Sequence, residues 1–245
     1  MSALLEIEGV TAGYTSDIDI LQSVSMEVRA GEIRGLIGLN GAGKSTVMKT
    51  VAGFLKPKAG RIRFKGDDIS GIDPHQLARR RIYMIPQESS LFPYMSVRDN
   101  LMLPLEQLRR LRPERPISTA DRMREAYALF PILREKEKDS ASSLSGGQQK
   151  QLEFAKAFAL QPELCLIDEP SIGLSPIVAE QVFEWIELFA KQDMAILLVD
   201  HNIRRILSLS DYIYVLSLGA VSAEGTRSDF QGDMIEQVRG WMGLS

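Results

Sequence analysis

Residues Gly38 to Ser45 read GLNGAGKS, which fits the pattern G-x-x-x-x-G-K-[ST]. A short apolar run, Glu32 to Ile37, precedes it, and a helix-compatible run from Lys44 to Ala52 follows, with Gly53 placed to cap that helix. Strand, glycine-rich loop and helix in that order make a phosphate cradle. The glycines let successive backbone N–H groups turn inward around phosphate oxygens, and the helix N-terminus adds unpaired donors and a favourable dipole. Gly38, Leu39, Asn40, Gly41, Ala42 and Gly43 are therefore candidate phosphate-binding backbone, and Lys44 supplies a point charge. Ser45 can offer its hydroxyl to Mg2+ at the phosphates of a nucleotide, and Thr46 helps to hold the same phosphates. Chance produces such a pattern in about one chain of this size in a hundred, and the flanking strand and helix lower that figure.

The remaining periodicity places this loop in an α/β chain. The opening LLEIEGVTAGY and the stretch from Arg61 to Ile69, with a turn expected at Gly66-Asp67, read as a β-rich front edge. Apolar runs Leu164 to Ile167 and Ala195 to Val199 flank a helical pattern from Ile177 to Ala190, as a parallel sheet with crossover helices requires. Between Pro86 and Pro162 charged, helix-favouring sequence dominates, which predicts a helical insertion with a loop at Pro113 and Pro116. Tyr212 to Leu216 and Val221 to Gly225 flank a turn in which Gly219 can take positive φ, a hairpin after the last core helix. The organisation expected is one unit: a main lobe over 1–87 and 162–230, a helical subdomain over 88–161, and a tail over 231–245.

Composition narrows the setting. With 245 residues, 44% of them hydrophobic, the chain can bury one substantial core. A net charge of −3 and a pI near 5.6 give no basic field for nucleic acid, so no nucleic-acid partner is expected. No apolar run approaches the roughly 20 residues of a membrane-spanning helix. The lone Cys165 permits no internal disulfide, and the first residues do not read as an export signal; the cytoplasm is the expected compartment. Cys165 reads as a small buried hydrophobe. The arginines at 79–81 and 109–115 read as a solvated helix face, with anionic lipid or an acidic partner loop as the alternative.

At Leu164 to Asp168 an apolar strand ends in a carboxylate followed at once by Glu169. Alone, such a pair is most simply an acidic helix cap. Beside a phosphate cradle, Asp168 would reach Mg2+ through water, and Glu169 would orient or deprotonate the water that attacks the γ-phosphate. Leu144 to Gln148 read LSGGQ, ahead of the helical run QKQLEFAKAFAL, so that Ser145, Gly146, Gly147 and Gln148 lie at a second helix N-terminus. A serine-glycine linker explains SGG alone but not the order of the other motifs.

With these three motifs the chain resembles the ABC ATPases. The resemblance implies a P-loop NTPase fold with a RecA-like core, an antiparallel β subdomain and an inserted helical subdomain. It implies two such subunits, identical or paralogous, packed head to tail, each ATP lying between the lysine loop of one and the LSGGQ of the other. It further places Tyr14 where an aromatic stacks on adenine, Gln87 where a glutamine touches Mg2+ and the attacking water, and His201 where a histidine hydrogen-bonds the γ-phosphate. Outside that frame Gln87 is an ordinary loop amide and His201 a structural histidine. SIGLSP, Ser171 to Pro176, resembles the loop that contacts the opposite subunit, with Ser175 where many relatives carry aspartate. Integral membrane permease subunits are the implied partners, holding this chain at the cytoplasmic face of the inner or plasma membrane, and a solute-binding protein acting through the permease is a further implied partner.

VTAGY, EPSIGLSP and the compact length most resemble the ATPases of branched-chain amino acid importers; PQESSLFPYMSVRDNL and VDHNIRRIL resemble the lipopolysaccharide-export ATPase, which is the alternative. A soluble ABC ATPase of DNA repair or translation calls for a long coiled-coil insertion or two tandem cassettes, and neither is present. A P-loop kinase or GTPase leaves LSGGQ unexplained, and no N-K-x-D segment offers guanine recognition.

Overall fold

The structure is a computed structural model that describes residues 3–112, 118–230 and 240. Pro113, Pro116 and nearly all of the C-terminal tail lie outside the described residues.

Among the described residues ten strands divide into two sheets. In the first, β1 (Ala3–Ala12), β2 (Leu21–Arg29), β4 (Ala59–Phe64) and β5 (Asp67–Asp68) run antiparallel in the order β2-β1-β4-β5. In the second, β3 (Ile33–Gly38), β6 (Ile82–Ile85), β7 (Leu164–Asp168), β8 (Ala195–Val199), β9 (Tyr212–Ser217) and β10 (Ala220–Thr226) lie in the order β10-β9-β3-β8-β7-β6. All pairings in this sheet are parallel except β9 with β10. Every residue of β7 and β8 is buried, as both faces of a parallel sheet must be when helices or another sheet cover them. The alternation of side chains then divides the interior. Ile196 and Leu198 of β8, with Cys165 and Ile167 of β7, enter one apolar core; Ala195, Leu197 and Val199, with Leu164 and Leu166, enter the other.

The first core is closed by α3 (Val97–Leu111), α4 (Thr119–Leu129), α5 (Pro131–Glu135), α6 (Gly146–Leu160), α7 (Pro176–Ala190) and α8 (Ile203–Leu209). The second packs the β-rich sheet and α1 (Lys44–Val51) onto the opposite face. A short α2, Pro74–Leu77, joins the two sheets. Cys165 is fully buried, and desolvation pushes its thiol well above the usual range, so it is an inert apolar residue.

Both hairpin turns have two left-handed residues, Lys65-Gly66 (φ 54 and 82) and Leu218-Gly219 (φ 46 and 81). This is the backbone that matches the twist of paired strands. The first turn therefore sits one residue earlier than the Gly66-Asp67 reading: Phe64 pairs with Asp67, which leaves Lys65 in the turn and puts Asp67 in β5. Several of the clustered arginines have partners within the described residues. Arg80 pairs with Asp67, Arg81 with Glu163 and Arg109 with Glu106, which favours the solvated-face reading for these residues.

Candidate nucleotide site

The C-terminal edges of three neighbouring strands, β3, β7 and β8, deliver the candidate site, the position at which open parallel sheets bind ligands. β3 ends at Gly38, where a β-carbon would meet the Leu216 carbonyl oxygen at 2.3 Å; only glycine lets the loop leave the sheet so close to β9. Gly43 takes φ 107 immediately before α1, a conformation that glycine alone adopts cheaply. Between them, the Ala42 N–H donates to the Leu39 carbonyl at 3.1 Å, closing a tight loop through Asn40 and Gly41.

Lys44 turns its ammonium back over this loop and donates to the carbonyls of Gly38 (2.9 Å) and Leu39 (3.0 Å). Burial lowers its pKa, and the charges of Glu169 and Asp168 oppose that shift. The ammonium is thus a desolvated cation held by neutral carbonyls, which an anionic phosphate would engage more strongly. Ser45 follows in the first turn of α1, and its hydroxyl donates to Asp168 Oδ1 at 3.4 Å. Asp168, at the end of β7, is buried; desolvation raises its pKa, the Ser45 hydroxyl lowers it, and the Glu169 charge raises it further. Thr46 is buried on the same turn.

Glu169 takes φ 49, its N–H donates to Val199 of β8 at 2.8 Å, and its Oε2 lies 2.9 Å from Nε2 of His201. Lys44, Ser45, Asp168, Glu169 and His201, spread over 157 positions of sequence, therefore meet in one cluster.

Other candidates stand apart from it. Tyr14 is 58% exposed, and its hydroxyl accepts from Lys49 Nζ at 3.4 Å. Gln87 is exposed just beyond β6. Ser145 caps α6 in a reciprocal box: its Oγ accepts from the Gln148 N–H at 3.3 Å, and Gln148 Oε1 accepts from the Ser145 N–H at 3.1 Å. Gly146, in the first turn, is exposed with nothing within 4 Å of where a β-carbon would stand, while a β-carbon at Gly147 would reach Val178 at 3.2 Å. Among the described residues no hydrogen bond or ion pair joins Ser145, Gly146, Gly147 or Gln148 to the loop at Gly38 to Thr46.

Sequence reasoning passed over Asp200. It is buried at the end of β8 and accepts from Ser171 N–H (3.0 Å), Ser171 Oγ (2.8 Å) and Asn202 N–H (2.8 Å). Its signal was available: a carboxylate at the C-terminal end of a buried parallel strand, next to a candidate histidine.

Comparison with known proteins agrees with this geometry. The sequence profile of the family described as "ABC transporter" matches residues 21–172. The high-affinity branched-chain amino acid transport ATP-binding protein BraG of Pseudomonas aeruginosa is 35% identical over 87% of this chain and 89% of its own length. The lipopolysaccharide export system ATP-binding protein LptB of Escherichia coli K12 is 37% identical over 87% of each. Among solved structures, an ATP-binding subunit of an ABC transporter superposes with a TM-score of 0.81 at 29% identity, covering 98% of this chain and 94% of the other. An ATP-binding cassette in its ADP conformation does so with 0.78 at 26% identity, covering 99% and 96%. A lysine-bearing phosphate loop facing two strand-end acids, a profile match over more than half of the sequence, and relatives aligned along most of it lead to one assignment: the chain belongs to the ATP-binding subunits of the ABC transporter family, which hydrolyse ATP to drive transport.

Proposed function

We propose that this chain works as one half of a head-to-tail pair of ATPase subunits, identical or paralogous, docked on integral membrane permease subunits at the cytoplasmic face of the membrane. One observation carries the pairing. The chain holds two separate helix N-termini suited to anions, at Lys44 and at Gly146, and among the described residues no polar contact links them. A single γ-phosphate reached by both requires a second copy. No helix among the described residues is long and apolar enough to cross a membrane, which supports the assignment of that task to other chains.

In this reading the glycine loop and Lys44 bind the phosphates of ATP, Tyr14 stacks on adenine, and Ser145, Gly146, Gly147 and Gln148 of the opposite subunit close over the γ-phosphate. The donor set around Ser45 suits a hard cation that relies on phosphate and water for most of its ligands: a hydroxyl and a carboxylate in contact, and no cluster of three acids, histidines or cysteines among the described residues. Ser45, Asp168 and Gln87 would hold Mg2+, which when bound neutralises charge on the β- and γ-phosphates. Glu169 takes a proton from the attacking water as the water oxygen bonds to the γ-phosphorus. The bond to the bridging oxygen then breaks, leaving ADP and phosphate. His201, which in this structure holds the Glu169 carboxylate, turns to hydrogen-bond the γ-phosphate. Loss of that phosphate removes the contacts that hold the pair closed.

The experiment is Glu169→Gln. The variant should bind ATP as the wild type does, lose at least about a hundredfold in turnover, and accumulate as closed dimers with Mg-ATP in sedimentation. Turnover at the wild-type rate would remove Glu169 from the mechanism.

For cargo, we propose import of the branched-chain amino acid type, with a solute-binding protein acting through the permease, supported by VTAGY, EPSIGLSP and the similarity to BraG. A second reading, lipopolysaccharide export, is favoured by PQESSLFPYMSVRDNL, by VDHN around His201 and by the similarity to LptB. Purification of the chain from membranes with its permease subunits, followed by leucine uptake in reconstituted vesicles, separates the two: uptake supports the first reading, and co-purifying lipopolysaccharide without uptake supports the second.

A further inference from the structure

The buried carboxylate of Asp200 joins the two loops that carry the proposed reacting groups. It is 3% exposed and directly follows β8, one residue before His201. Oδ2 accepts the Ser171 N–H at 3.0 Å, and Oδ1 accepts both the Ser171 hydroxyl at 2.8 Å and the Asn202 N–H at 2.8 Å. Ser171 lies two residues after Glu169, and Asn202 one residue after His201. The carboxylate thus grips the backbone on the far side of each member of the Glu169–His201 pair, whose side chains meet at 2.9 Å. On the near side, the Glu169 N–H is fixed to Val199 at 2.8 Å. Glu169 stands in the left-handed region with φ 49, a conformation that costs about 1–3 kcal/mol for such a residue and persists only where its surroundings impose it.

A purely local role does not account for these contacts. Asn202 already caps α8, its Oδ1 accepting from the Arg205 N–H at 3.2 Å, so the helix does not need Asp200 as a cap. Two of the three donors to Asp200 come from the other loop. Among the described residues no lysine, arginine or histidine forms an ion pair with Asp200, so a buried negative charge is kept with dipolar N–H and O–H partners alone. An arrangement serving stability only is more cheaply made from neutral groups.

We propose that Asp200, acting through Ser171, is a positioning residue for hydrolysis: it sets the Glu169 carboxylate and the His201 imidazole in register with each other, and so with the attacking water. This rests on the reading of Glu169 as the group that orients that water. The clasp holds Ser171 and Asn202 rather than the loop at Gly38 to Thr46, and its contribution falls on the chemical step rather than on ATP binding. Misplacement of a reacting group by about 1 Å is enough to cost on the order of a hundredfold in rate.

The test compares Asp200→Asn, Ser171→Ala and Ser171→Thr with wild type in steady-state hydrolysis by the full-length protein, each also in the Glu169→Gln background. Asp200→Asn keeps the shape and loses the charge and one acceptor; kcat should fall about tenfold or more while KM for ATP stays within about twofold. Ser171→Ala should lower kcat less, and Ser171→Thr, which keeps the hydroxyl, should restore it. In the Glu169→Gln background Asp200→Asn should add no further loss, because the group it positions is gone. Wild-type kcat in folded Asp200→Asn overturns the clasp, as does a loss that multiplies fully with that of Glu169→Gln. If Asp200→Asn does not fold, the serine pair decides: equal kcat for Ser171→Ala and Ser171→Thr overturns the proposal. Normal hydrolysis by Glu169→Gln alone instead overturns the Glu169 reading on which it rests.

Discussion

Lys44 shows at the scale of one side chain how function can oppose stability. Its ammonium is buried, its pKa is lowered mainly by that burial, and its partners are two loop carbonyls. The loop that holds it is open to solvent at Leu39, 40% exposed, so water can replace the ammonium at these carbonyls and the cation contributes little to folding. Lys44→Met should therefore leave unfolding free energy within about 1 kcal/mol of wild type while abolishing ATP hydrolysis, read by urea denaturation and phosphate release. A large loss of stability would make Lys44 a structural residue. Gly38 behaves in the opposite sense. The Leu216 carbonyl oxygen stands 2.3 Å from where its β-carbon would lie, so Gly38→Ala must push β3 from β9 and should cost about 1–3 kcal/mol. An unchanged denaturation midpoint would show that the loop yields there without cost. Both residues were legible in the sequence, because a phosphate cradle fixes where glycine and lysine must stand. For Asp200 only the strand-end carboxylate beside a histidine is legible; its clasp is not, because two of its three donors belong to Ser171, 29 positions away.

Among the elements, α6 ties the helical insertion to the segment that follows Gln87. Glu153 of α6 accepts from the Ser90 N–H at 3.0 Å, and Lys156 donates to the Ser90 carbonyl at 2.8 Å, both side chains buried. Lys150 pairs with the other Glu153 oxygen at 2.7 Å. Lys156→Met would leave the Ser90 carbonyl without this donor and should cost about 1–3 kcal/mol, measured by chemical denaturation at neutral pH. The variant also carries a pH signature. Burial lowers the Lys156 pKa, partly offset by Glu153, so the unfolded chain holds that proton more tightly than the folded one. Stability therefore rises with pH between the lowered folded value and the ordinary lysine value, and the variant should lack that alkaline rise. A rise of equal size in the variant would assign it to another group. The helices of the insertion were readable from its charged, helix-favouring composition, and the buried strands from their apolar runs. The turn at Lys65-Gly66 was misplaced by one residue, because strand register is decided by pairing with β1 and β4 rather than by the dipeptide at the turn. At Ser145 one motif carries two meanings: its serine and glutamine spacing spells a helix start through a capping box as well as an anion site.

For the whole molecule, two helix starts suited to anions with no polar link among the described residues are what the proposed working unit of two chains accounts for. In the proposed pair, Lys44, Ser45, Asp168, Glu169 and His201 would form one half of a site, and the exposed start of α6 would complete a neighbour's half. The most direct measurement mixes two inactive proteins. Lys44→Ala disables the lysine loop and Ser145→Arg blocks the start of α6, and each alone should hydrolyse no ATP. In a mixed dimer one of the two composite sites combines the intact loop of one chain with the intact LSGGQ of the other. Mixing equal amounts should restore about a quarter of wild-type turnover, since half of the dimers are mixed and each carries one whole site. If both motifs act on a nucleotide within the same polypeptide, the mixture will stay as inactive as its components.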